Sequence, residues 1–437
     1  MNKYLYFQEN DYELYKGKMQ EVLSTFEEGS ADSIICDPPY ELNFMGKGWD
    51  NSGVAFQKDT WEHCFKVLKE GGYLLAFGGS RTFHRIAVAI EDAGFEIRDT
   101  IMWLYGSGFP KSMNIGLAID KKLGYQGQRG KGGVSAFGGI LGQRERKAHL
   151  YNSNESPQKC YNEYKTDLAK KWAGYGTALK PAYEPIIVAR KPFKCSLVEN
   201  IMQNGVGGLN IDECRIPTSD DLARINKTDN GMFGVGNNNN NNNAQKCKEQ
   251  GIEYGGRFPA NVILTYDETD YEEVCGGMPT SDTPNGSASR YFYCAKASKK
   301  DRDEGLELFE SKQKPEYCLA YHNGEKRNLT ATRKNIHPTV KPVELMQYLV
   351  RLVTPKNGTI LDCFMGSGST GKAVMFENRE RNANYKFIGV EMTEEYLPIC
   401  YSRIDYAKNK YEYELIKEKQ EQQEKGIVDI FDFLESE

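Results

Sequence analysis

The chain has 437 residues, of which 39% are hydrophobic and 12% aromatic, and its formal net charge is −5 at pH 7. This length can bury more than one core and predicts two or three domains. No apolar run approaches the roughly 18 residues that cross a bilayer, and the N-terminus lacks the basic and apolar regions of a signal peptide. We therefore expect a globular, cytoplasmic protein without a membrane partner.

The eleven cysteines are scattered, with no C-x-x-C pair and no histidine group beside them. This spacing indicates neither a zinc site nor a disulfide framework, so no metal is expected. Isolated cysteines pack as small apolar side chains, and we expect reduced, mostly buried thiols.

The first two hundred residues alternate between strand and helix patterns. Residues 33–36 form a short apolar strand that ends in the sequence DPPY. The pattern continues with a helix around Trp61, Phe65 and Leu68, a strand at 71–79, a helix carrying Ile86, Ala87, Ile90 and Ala93, and strands at 96–105 and 185–188. Such alternation predicts an α/β protein with a Rossmann-like, mostly parallel sheet and helices on both faces.

The middle of the chain, from about 195 to 335, is polar and irregular. It contains seven consecutive asparagines at 237–243 and two short strand candidates at 260–266 and 290–295. An asparagine run cannot bury apolar area, so a disordered loop is expected at about 230–247. We predict an inserted α+β region here.

The alternation resumes after residue 336. An amphipathic helix carries Val343, Met346, Val350 and Val353, and strands at 359–362 and 385–390 flank a helix that begins in the loop CFMGSGSTGKAV. The charged residues after 408 predict a solvated helix and a loose end. The expected boundaries are therefore 1–194, 195–335, 336–407 and a tail at 408–437.

The glycine loop allows two interpretations. Gly366, Gly371 and Lys372 match the start of a phosphate loop, but that loop continues with Ser or Thr, and this chain has Ala373. Alternatively, Gly366 and Gly368 let the backbone turn tightly beside an adenosyl group. Glu391, at the end of the next strand, could then accept hydrogen bonds from both ribose hydroxyls. Nicotinamide and flavin binders share this pattern, so the loop alone does not decide.

The DPPY sequence at Asp37, Pro38, Pro39 and Tyr40 narrows the choice. Together with DCFMGSGSTG it resembles the beta group of S-adenosylmethionine-dependent DNA amino-methyltransferases, in which the catalytic motif precedes the recognition region and the cofactor loop comes last. Segments such as KPAYEPIIVARKP and HPTVKP are similar to those of phage and prophage methylases. The resemblance implies a permuted class I methyltransferase fold, S-adenosylmethionine as cofactor and double-stranded DNA as partner.

The resemblance assigns chemistry to the DPPY residues. The Asp37 carboxylate and the Pro38 carbonyl would hold both hydrogens of an exocyclic amine, so that its lone pair points at the sulfonium methyl group. Pro38 and Pro39 fix the backbone, since the ring locks φ. Tyr40 would stack on a base that is flipped out of the duplex.

In the family, DPPY is associated with the N6 amine of adenine, while the N4 amine of cytosine stays open. Protein glutamine methyltransferases carry N-P-P-Y, but their cofactor loop comes first, which is the reverse of the order here. A catalytically inactive DNA-binding decoy of the same fold is a further alternative. Lys18 stands where relatives usually carry an acidic residue, which leaves the adenine end of the cofactor without an assigned partner.

The resemblance also implies cofactor residues. Asp362 would pair with the methionine amino group, Phe364 would cover the adenosyl or sulfonium portion, and the HPTVKP segment would reach the methionine carboxylate. The expected cofactor residues are Asp362, Phe364, Gly366, Ser367, Gly368, Glu391, Thr339 and Lys341.

A basic, glycine-rich stretch at 121–147 suits a loop that follows a phosphate backbone, although a solvated loop without a partner would look the same. The expected DNA contacts are Lys47, Trp49, Lys121, Lys122, Arg129, Lys131, Arg144 and Arg146. The chain shows no restriction nuclease signature. A lone methylase and a methylase with a separately encoded restriction enzyme are therefore both open. Family members often form dimers, so the resemblance also leaves a homodimer open.

Overall fold

The computed structural model describes residues 2–42, 48–105, 112–125, 164–216, 258–265, 292–293, 297–313, 321–322, 325–326 and 332–424. The chain forms two compact units, the first with residues 1–104, 184–310 and 334–437, the second with residues 105–183 and 311–333. The predicted boundaries at 1–194, 195–335, 336–407 and 408–437 stay predictions. The predicted Asn-rich loop at 230–247 lies outside the described residues, and a recognition role for 195–335 stays a prediction.

Strands and helices alternate along the chain. The strands are β1 (Leu5–Gln8), β2 (Tyr12–Lys16), β3 (Ala31–Cys36), β4 (Leu68–Phe77), β5 (Glu96–Tyr105), β6 (Tyr183–Arg190), β7 (Val262–Thr265), β8 (Phe292–Tyr293), β9 (Lys312–Gln313), β10 (Tyr321–His322), β11 (Glu325–Lys326), β12 (Thr332–Arg333), β13 (Thr359–Asp362) and β14 (Lys386–Glu391). The helices are α1 (Met19–Leu23), α2 (Lys58–Val67), α3 (Phe83–Asp92), α4 (Ile115–Lys122), α5 (Asp167–Lys171), α6 (Leu197–Asn204), α7 (Lys299–Asp303), α8 (Val343–Val353), α9 (Ser369–Arg381) and α10 (Leu397–Glu424).

One ten-stranded sheet organises the first unit, in the order β1-β2-β14-β13-β3-β4-β6-β5-β7-β8. β3 runs parallel to both β4 and β13, and β14 runs parallel to both β13 and β2. β1 is antiparallel to β2, and β6 is antiparallel to β4. The predicted α/β class with a mostly parallel sheet is confirmed.

The centre of the sheet is covered on both faces. All six residues of β3 are buried. Ile34 joins a core cluster with Trp61 of α2 and Ile86 of α3, whereas Ile35, which points to the other face, is also fully buried. The apolar side of α8 packs on β3 and β4. Burial on both faces is the reason that Ile34, Ile35 and Cys36 follow one another as apolar residues without alternation.

The second unit contains α4 and α5 and the antiparallel pairs β9 with β12 and β10 with β11. A buried carboxylate joins its two helices. Asp120 accepts hydrogen bonds from the backbone N–H of Lys165 at 2.7 Å and of Thr166 at 3.1 Å, and from the Thr166 hydroxyl at 2.8 Å. These bonds lower the pKa of Asp120 against the opposing effect of burial.

Most cysteines in the described part of the chain are buried. Five of the six cysteines in the described ranges are buried thiols, namely Cys36, Cys64, Cys214, Cys363 and Cys400, which confirms the predicted burial. Among the helices that the structure describes, none has both the length and the apolar character to cross a bilayer.

Candidate active site

Three acidic side chains lie at one edge of the sheet. Asp37 directly follows β3, Asp362 ends β13 and Glu391 ends β14. These strands are neighbours and run parallel, so their carboxyl ends meet at the same edge. The fold therefore brings together the DPPY sequence and the glycine loop, which lie more than three hundred residues apart in the chain.

The glycine loop turns sharply between β13 and α9. Gly366 has φ of 56° and Gly368 has φ of 74°, a region that side chains rarely adopt. A Cβ atom on Gly366 would lie 2.9 Å from His337 Nε2, and one on Gly368 would lie 3.1 Å from the Cα atom of Cys400. Both positions therefore require glycine, as the predicted tight turn implies.

Glu391 holds this loop through its backbone. Its carboxylate accepts hydrogen bonds from the N–H of Gly366 at 2.8 Å and from the N–H of Thr393 at 2.7 Å, one on each oxygen. Burial raises the pKa of Glu391, while the amide bonds act in the opposite direction.

Asp362 is buried at the start of the same loop. Its carboxylate accepts hydrogen bonds from the N–H of Phe364 at 3.0 Å and from the Thr370 hydroxyl at 2.5 Å. Burial raises the pKa of Asp362 well above its usual range. A cation placed beside this carboxylate would favour its ionised form. Phe364 is half-buried, with its ring centre 6.4 Å from that of Trp61.

Two fully buried cations lie behind the loop. Lys372 contacts Glu304 at 2.9 Å and Asp301 at 3.6 Å, so its ammonium group is directed to the carboxylates at and just after α7. Arg403 of α10 donates to the carbonyl oxygen of Ser367 at 2.6 Å and to its hydroxyl at 3.1 Å. The phosphate-loop interpretation is therefore wrong for Lys372, because its charge is already neutralised inside the protein.

Asp37 has one occupied and one open oxygen. Its Oδ2 atom accepts a hydrogen bond from Lys341 Nζ at 2.6 Å, whereas Oδ1 is buried and has no hydrogen-bond partner among the described residues. Burial raises the pKa of Asp37; the charge of Lys341 lowers it and the charge of Glu184 raises it further. A buried acceptor without a donor is costly in a folded protein, which indicates that Oδ1 is kept for a ligand.

Tyr40 is fixed at both ends. Its hydroxyl donates to Glu184 Oε2 at 2.8 Å and accepts from Lys341 Nζ at 3.1 Å, and its backbone carbonyl accepts from the Thr82 hydroxyl at 2.8 Å. Burial raises the pKa of Tyr40 well above its usual range, so the phenol stays protonated. Of the two prolines, Pro38 is buried and Pro39 is half-buried.

Lys341 and Thr339 of the HPTVKP segment have different surroundings. The ammonium group of Lys341 lies against Asp37, Tyr40 and the ring of Phe77, whose centre is 4.8 Å away. The structure thus groups Lys341 with the DPPY residues, where the sequence predicted a contact with the cofactor carboxylate. Thr339 is exposed, and its carbonyl accepts from His337 Nδ1 at 2.8 Å. A contact of either residue with the cofactor stays a prediction.

Three of the eight predicted DNA contacts lie among the described residues. Lys121 and Lys122 are exposed at the end of α4. Trp49 belongs to the short turn Gly48–Asn51. Lys47, Arg129, Lys131, Arg144 and Arg146 lie outside the described residues. These DNA contacts stay predictions.

Sequence reasoning missed Glu184 and Arg403. Glu184 stands in KPAYEPIIVARKP as an acid next to an apolar strand, which is a signal for a strand-end carboxylate. Arg403 lies on the same helical side as the buried residues Ile399, Cys400 and Ala407. A charged residue in an apolar helix face indicates a buried charge with specific partners.

The family model described as DNA methylase matches residues 31–402. The chain belongs to this DNA methylase family. The match includes the DPPY sequence, both strands beside the glycine loop and the segment that carries Lys341. The expected DNA methylase family is thus confirmed. The match does not distinguish the beta group or the adenine-specific type within that family.

Curated relatives match shorter segments. The type II methyltransferase M.HindIII of Haemophilus influenzae is 25% identical over 156 residues, which is 35% of this chain and 37% of that protein. M.BglI of Bacillus subtilis is 37% identical over 93 residues, which is 21% of this chain and 25% of that protein. The matches thus span well under half of these relatives.

Solved structures of low sequence identity align along most of the chain. The PvuII DNA methyltransferase, described as cytosine-N4-specific, is 13% identical, with a TM-score of 0.40 and coverage of 92% of this chain and 89% of that one. M1.HpyAVI in complex with SAM is 15% identical, with a TM-score of 0.35 and coverage of 90% and 99%.

Proposed function

We propose that the protein transfers a methyl group from S-adenosylmethionine to the exocyclic N6 amine of a flipped-out adenine in double-stranded DNA. The observation that carries this proposal is the open Oδ1 atom of Asp37, a buried acceptor at the sheet edge that also carries Glu391 and the glycine loop. Family membership supports methyl transfer to a DNA base, and the DPPY sequence supports adenine.

The residues at this edge fit S-adenosylmethionine. When bound, this cofactor supplies a sulfonium methyl group as the electrophile. Glu391, at the end of β14, would accept hydrogen bonds from the ribose hydroxyls, and the tight turn at Gly366 and Gly368 would bring the loop backbone close to the adenosyl group. Asp362, whose pKa burial raises, would gain a charge partner in the methionine amino group. Phe364, Ser367, Thr339 and Lys341 complete the proposed cofactor residues.

The amine is a poor nucleophile because its lone pair is delocalised into the base. Asp37 Oδ1 would accept one amine hydrogen and the Pro38 carbonyl the other, so the nitrogen becomes pyramidal and its lone pair points outward. The carboxylate also stabilises the positive charge that develops on nitrogen as the N–C bond forms and the C–S bond breaks. The surplus amine proton then leaves by way of Asp37 Oδ1. No strong base is required.

Tyr40 would provide the stacking surface for the base. Its hydroxyl is already held by Glu184 and Lys341, so little side-chain entropy is lost when a base docks. Stacking worth about 1–3 kcal/mol offsets part of the cost of removing the base from the duplex. Recognition of flanking bases is assigned to the region 195–335 and to the basic residues at 121–147. A cytoplasmic location, a phage or prophage origin, a homodimer and a separate restriction enzyme stay predictions.

The proposal is tested with a tritiated methyl donor and unmethylated genomic DNA, followed by digestion to nucleosides. We expect label in N6-methyldeoxyadenosine. Label in N4-methyldeoxycytidine would support the alternative base. DNA binding without any transfer by the wild-type protein would support the inactive decoy and end the proposal.

Two variants separate chemistry from cofactor binding. Asp37→Ala should lose transfer and keep its affinity for S-adenosylmethionine in calorimetry, because the open acceptor belongs to the amine. Glu391→Gln should lose about 10- to 100-fold in cofactor affinity, since its amide NH₂ would face a backbone N–H. Glu395→Gln, four residues further on and exposed, is the matched control and should bind as the wild type does.

A further inference from the structure

Glu184 enters the site from a strand that runs against its neighbour. β6 is antiparallel to β4, with Ile186 opposite Phe77. The start of β6 therefore lies at the edge where the parallel strands end. This geometry places a second carboxylate beside Asp37, although neither the DPPY sequence nor the glycine loop includes it.

Glu184, Asp37, Lys341 and Tyr40 form one hydrogen-bonded group. Lys341 Nζ lies 2.6 Å from Asp37 Oδ2, 3.1 Å from Tyr40 Oη and 3.4 Å from Glu184 Oε2. The contacts with Asp37 and Tyr40 are hydrogen bonds and the contact with Glu184 is an ion pair, so one ammonium group serves all three side chains. The Tyr40 hydroxyl accepts from Lys341 and donates to Glu184, 2.8 Å away.

The charges in this group do not cancel. Asp37 and Glu184 contribute two negative charges when ionised and Lys341 contributes one positive charge, which leaves a surplus of one negative charge. Without Glu184, Lys341 would neutralise Asp37 and weaken it as an acceptor. The side chains of Lys341, Glu184 and Asp37 are only 10%, 21% and 22% exposed, so solvent screens these interactions incompletely.

We propose that Glu184 is a positioning residue for methyl transfer, which shares Lys341 with Asp37, fixes the Tyr40 hydroxyl and so keeps one surplus negative charge facing the target amine. This inference rests on the proposed function. Developing positive charge on the amine nitrogen is stabilised by that surplus, and Oδ1 of Asp37 stays open because Lys341 is held on the Oδ2 side.

The pH dependence of transfer provides a readout that a purely structural role would not move. Asp37 faces Lys341, Tyr40 and Glu184, and the charge of Asp362 at the end of β13 also interacts with it. The charge of Glu184 raises the pKa of Asp37 and that of Lys341 lowers it. Neutralising Glu184 should therefore move the acid limb of the pH–rate profile to lower pH, and neutralising Lys341 should move it to higher pH.

The experiment measures single-turnover methylation of unmethylated genomic DNA over a range of pH, with cofactor affinity measured by calorimetry. Glu184→Gln keeps an oxygen that can accept from Tyr40 and removes the charge. We expect its plateau rate to fall about 10- to 100-fold, its acid limb to move to lower pH and its cofactor affinity to stay unchanged. Glu96→Gln is the matched control, since Glu96 pairs with Arg190 at the opposite end of β6, and it should behave as the wild type does.

Several outcomes would overturn the inference. Glu184 would not have this role if Glu184→Gln kept the plateau rate and the acid limb of the wild type. The same conclusion would follow if its plateau rate fell but its acid limb did not move. If Glu184→Gln fails to fold, Lys341→Met decides, and an acid limb that does not move to higher pH would reject the inference. A wild-type protein that methylates no DNA would instead reject the proposed function, and the inference with it.

Discussion

His337 is a buried imidazole that the fold holds in its neutral form. Its Nδ1 atom lies 2.8 Å from the carbonyl oxygen of Thr339, which can only accept, so Nδ1 carries the hydrogen. Its ring packs edge-on against Tyr396 at 4.7 Å between centres and closes the space above Gly366. Burial lowers the pKa of His337 to about 3. The residue therefore supports the glycine loop only while it is uncharged.

Acidification should destabilise the protein through this residue. The folded pKa lies below that of the unfolded chain, about 6.5, so the unfolded state binds more protons between pH 6.5 and about 3. Its stabilising contribution is complete above pH 6.5 and is lost as the pH falls. Between pH 7.5 and pH 5.0 the loss is about 2 kcal/mol in the free energy of unfolding by urea.

The matching variant is His337→Asn, whose amide NH₂ can replace the Nδ1 donor and does not titrate. Its stability should change less than that of the wild type over the same pH interval. His84→Gln, at an exposed position on α3, is the control and should follow the wild type. Equal losses in wild type and His337→Asn would contradict the assignment.

At the scale of elements, a buried ion cluster joins the short helix α7 to α9 and α10. Lys372 of α9 contacts Glu304 and Asp301, and Arg403 of α10 donates to the Asp301 carbonyl at 3.2 Å. Asp301 also accepts from the backbone N–H of Val343, the first residue of α8. The helix thus contacts both the glycine-loop helix and the start of the helix that follows Lys341.

Removing one member of this cluster should be costly. Lys372→Met leaves Glu304 partly buried without its closest cation, and we expect the free energy of unfolding to fall by about 3 kcal/mol. Adding Glu304→Gln should restore part of the loss, because the uncompensated charge is then removed. Lys356→Met, which breaks an exposed pair with Glu213, should cost less than about 1 kcal/mol. A similar small loss for Lys372→Met in urea unfolding would refute the buried-pair account.

At the scale of the whole molecule, the two ends of the chain build one sheet. β2 and β3 come from the first forty residues, whereas β13 and β14 come from the last eighty and lie side by side between them, in the order β2-β14-β13-β3. Ile34 pairs with Leu361, and Glu13 pairs with Ile388. Because this pairing buries strands on both faces, the halves should hold together without a covalent link.

A protease site inserted into the asparagine run at 237–243 tests this expectation. After cleavage, the two fragments should elute together at the size of the intact 49.5 kDa chain and should keep methyl transfer to DNA. Leu361→Asp, which buries a charge in β13, should instead let the cleaved fragments separate. Separate elution of the fragments without that substitution would show that the paired strands do not suffice.

The sequence by itself determined the class of fold and the identity of the strand-end residues. Asp37 and the glycine loop stand next to apolar runs, and the strands 96–105 and 359–362 are observed as predicted, because periodicity and motif order are local properties. The hairpin of β1 and β2 was missed, since its mixed apolar and polar residues give no clear strand signal.

Only the tertiary structure decided which charges meet. Glu184 reaches Tyr40 across 144 positions from an antiparallel strand, and Lys341 reaches Asp37 across 304 positions from the segment before α8. The same holds for Lys372. Its neighbours in the sequence match the start of a phosphate loop, but in the structure Lys372 is buried in an ion cluster beside α7. Local sequence fixes which side chains are available, but their partners depend on strand pairing over long separations, and no single segment encodes that pairing.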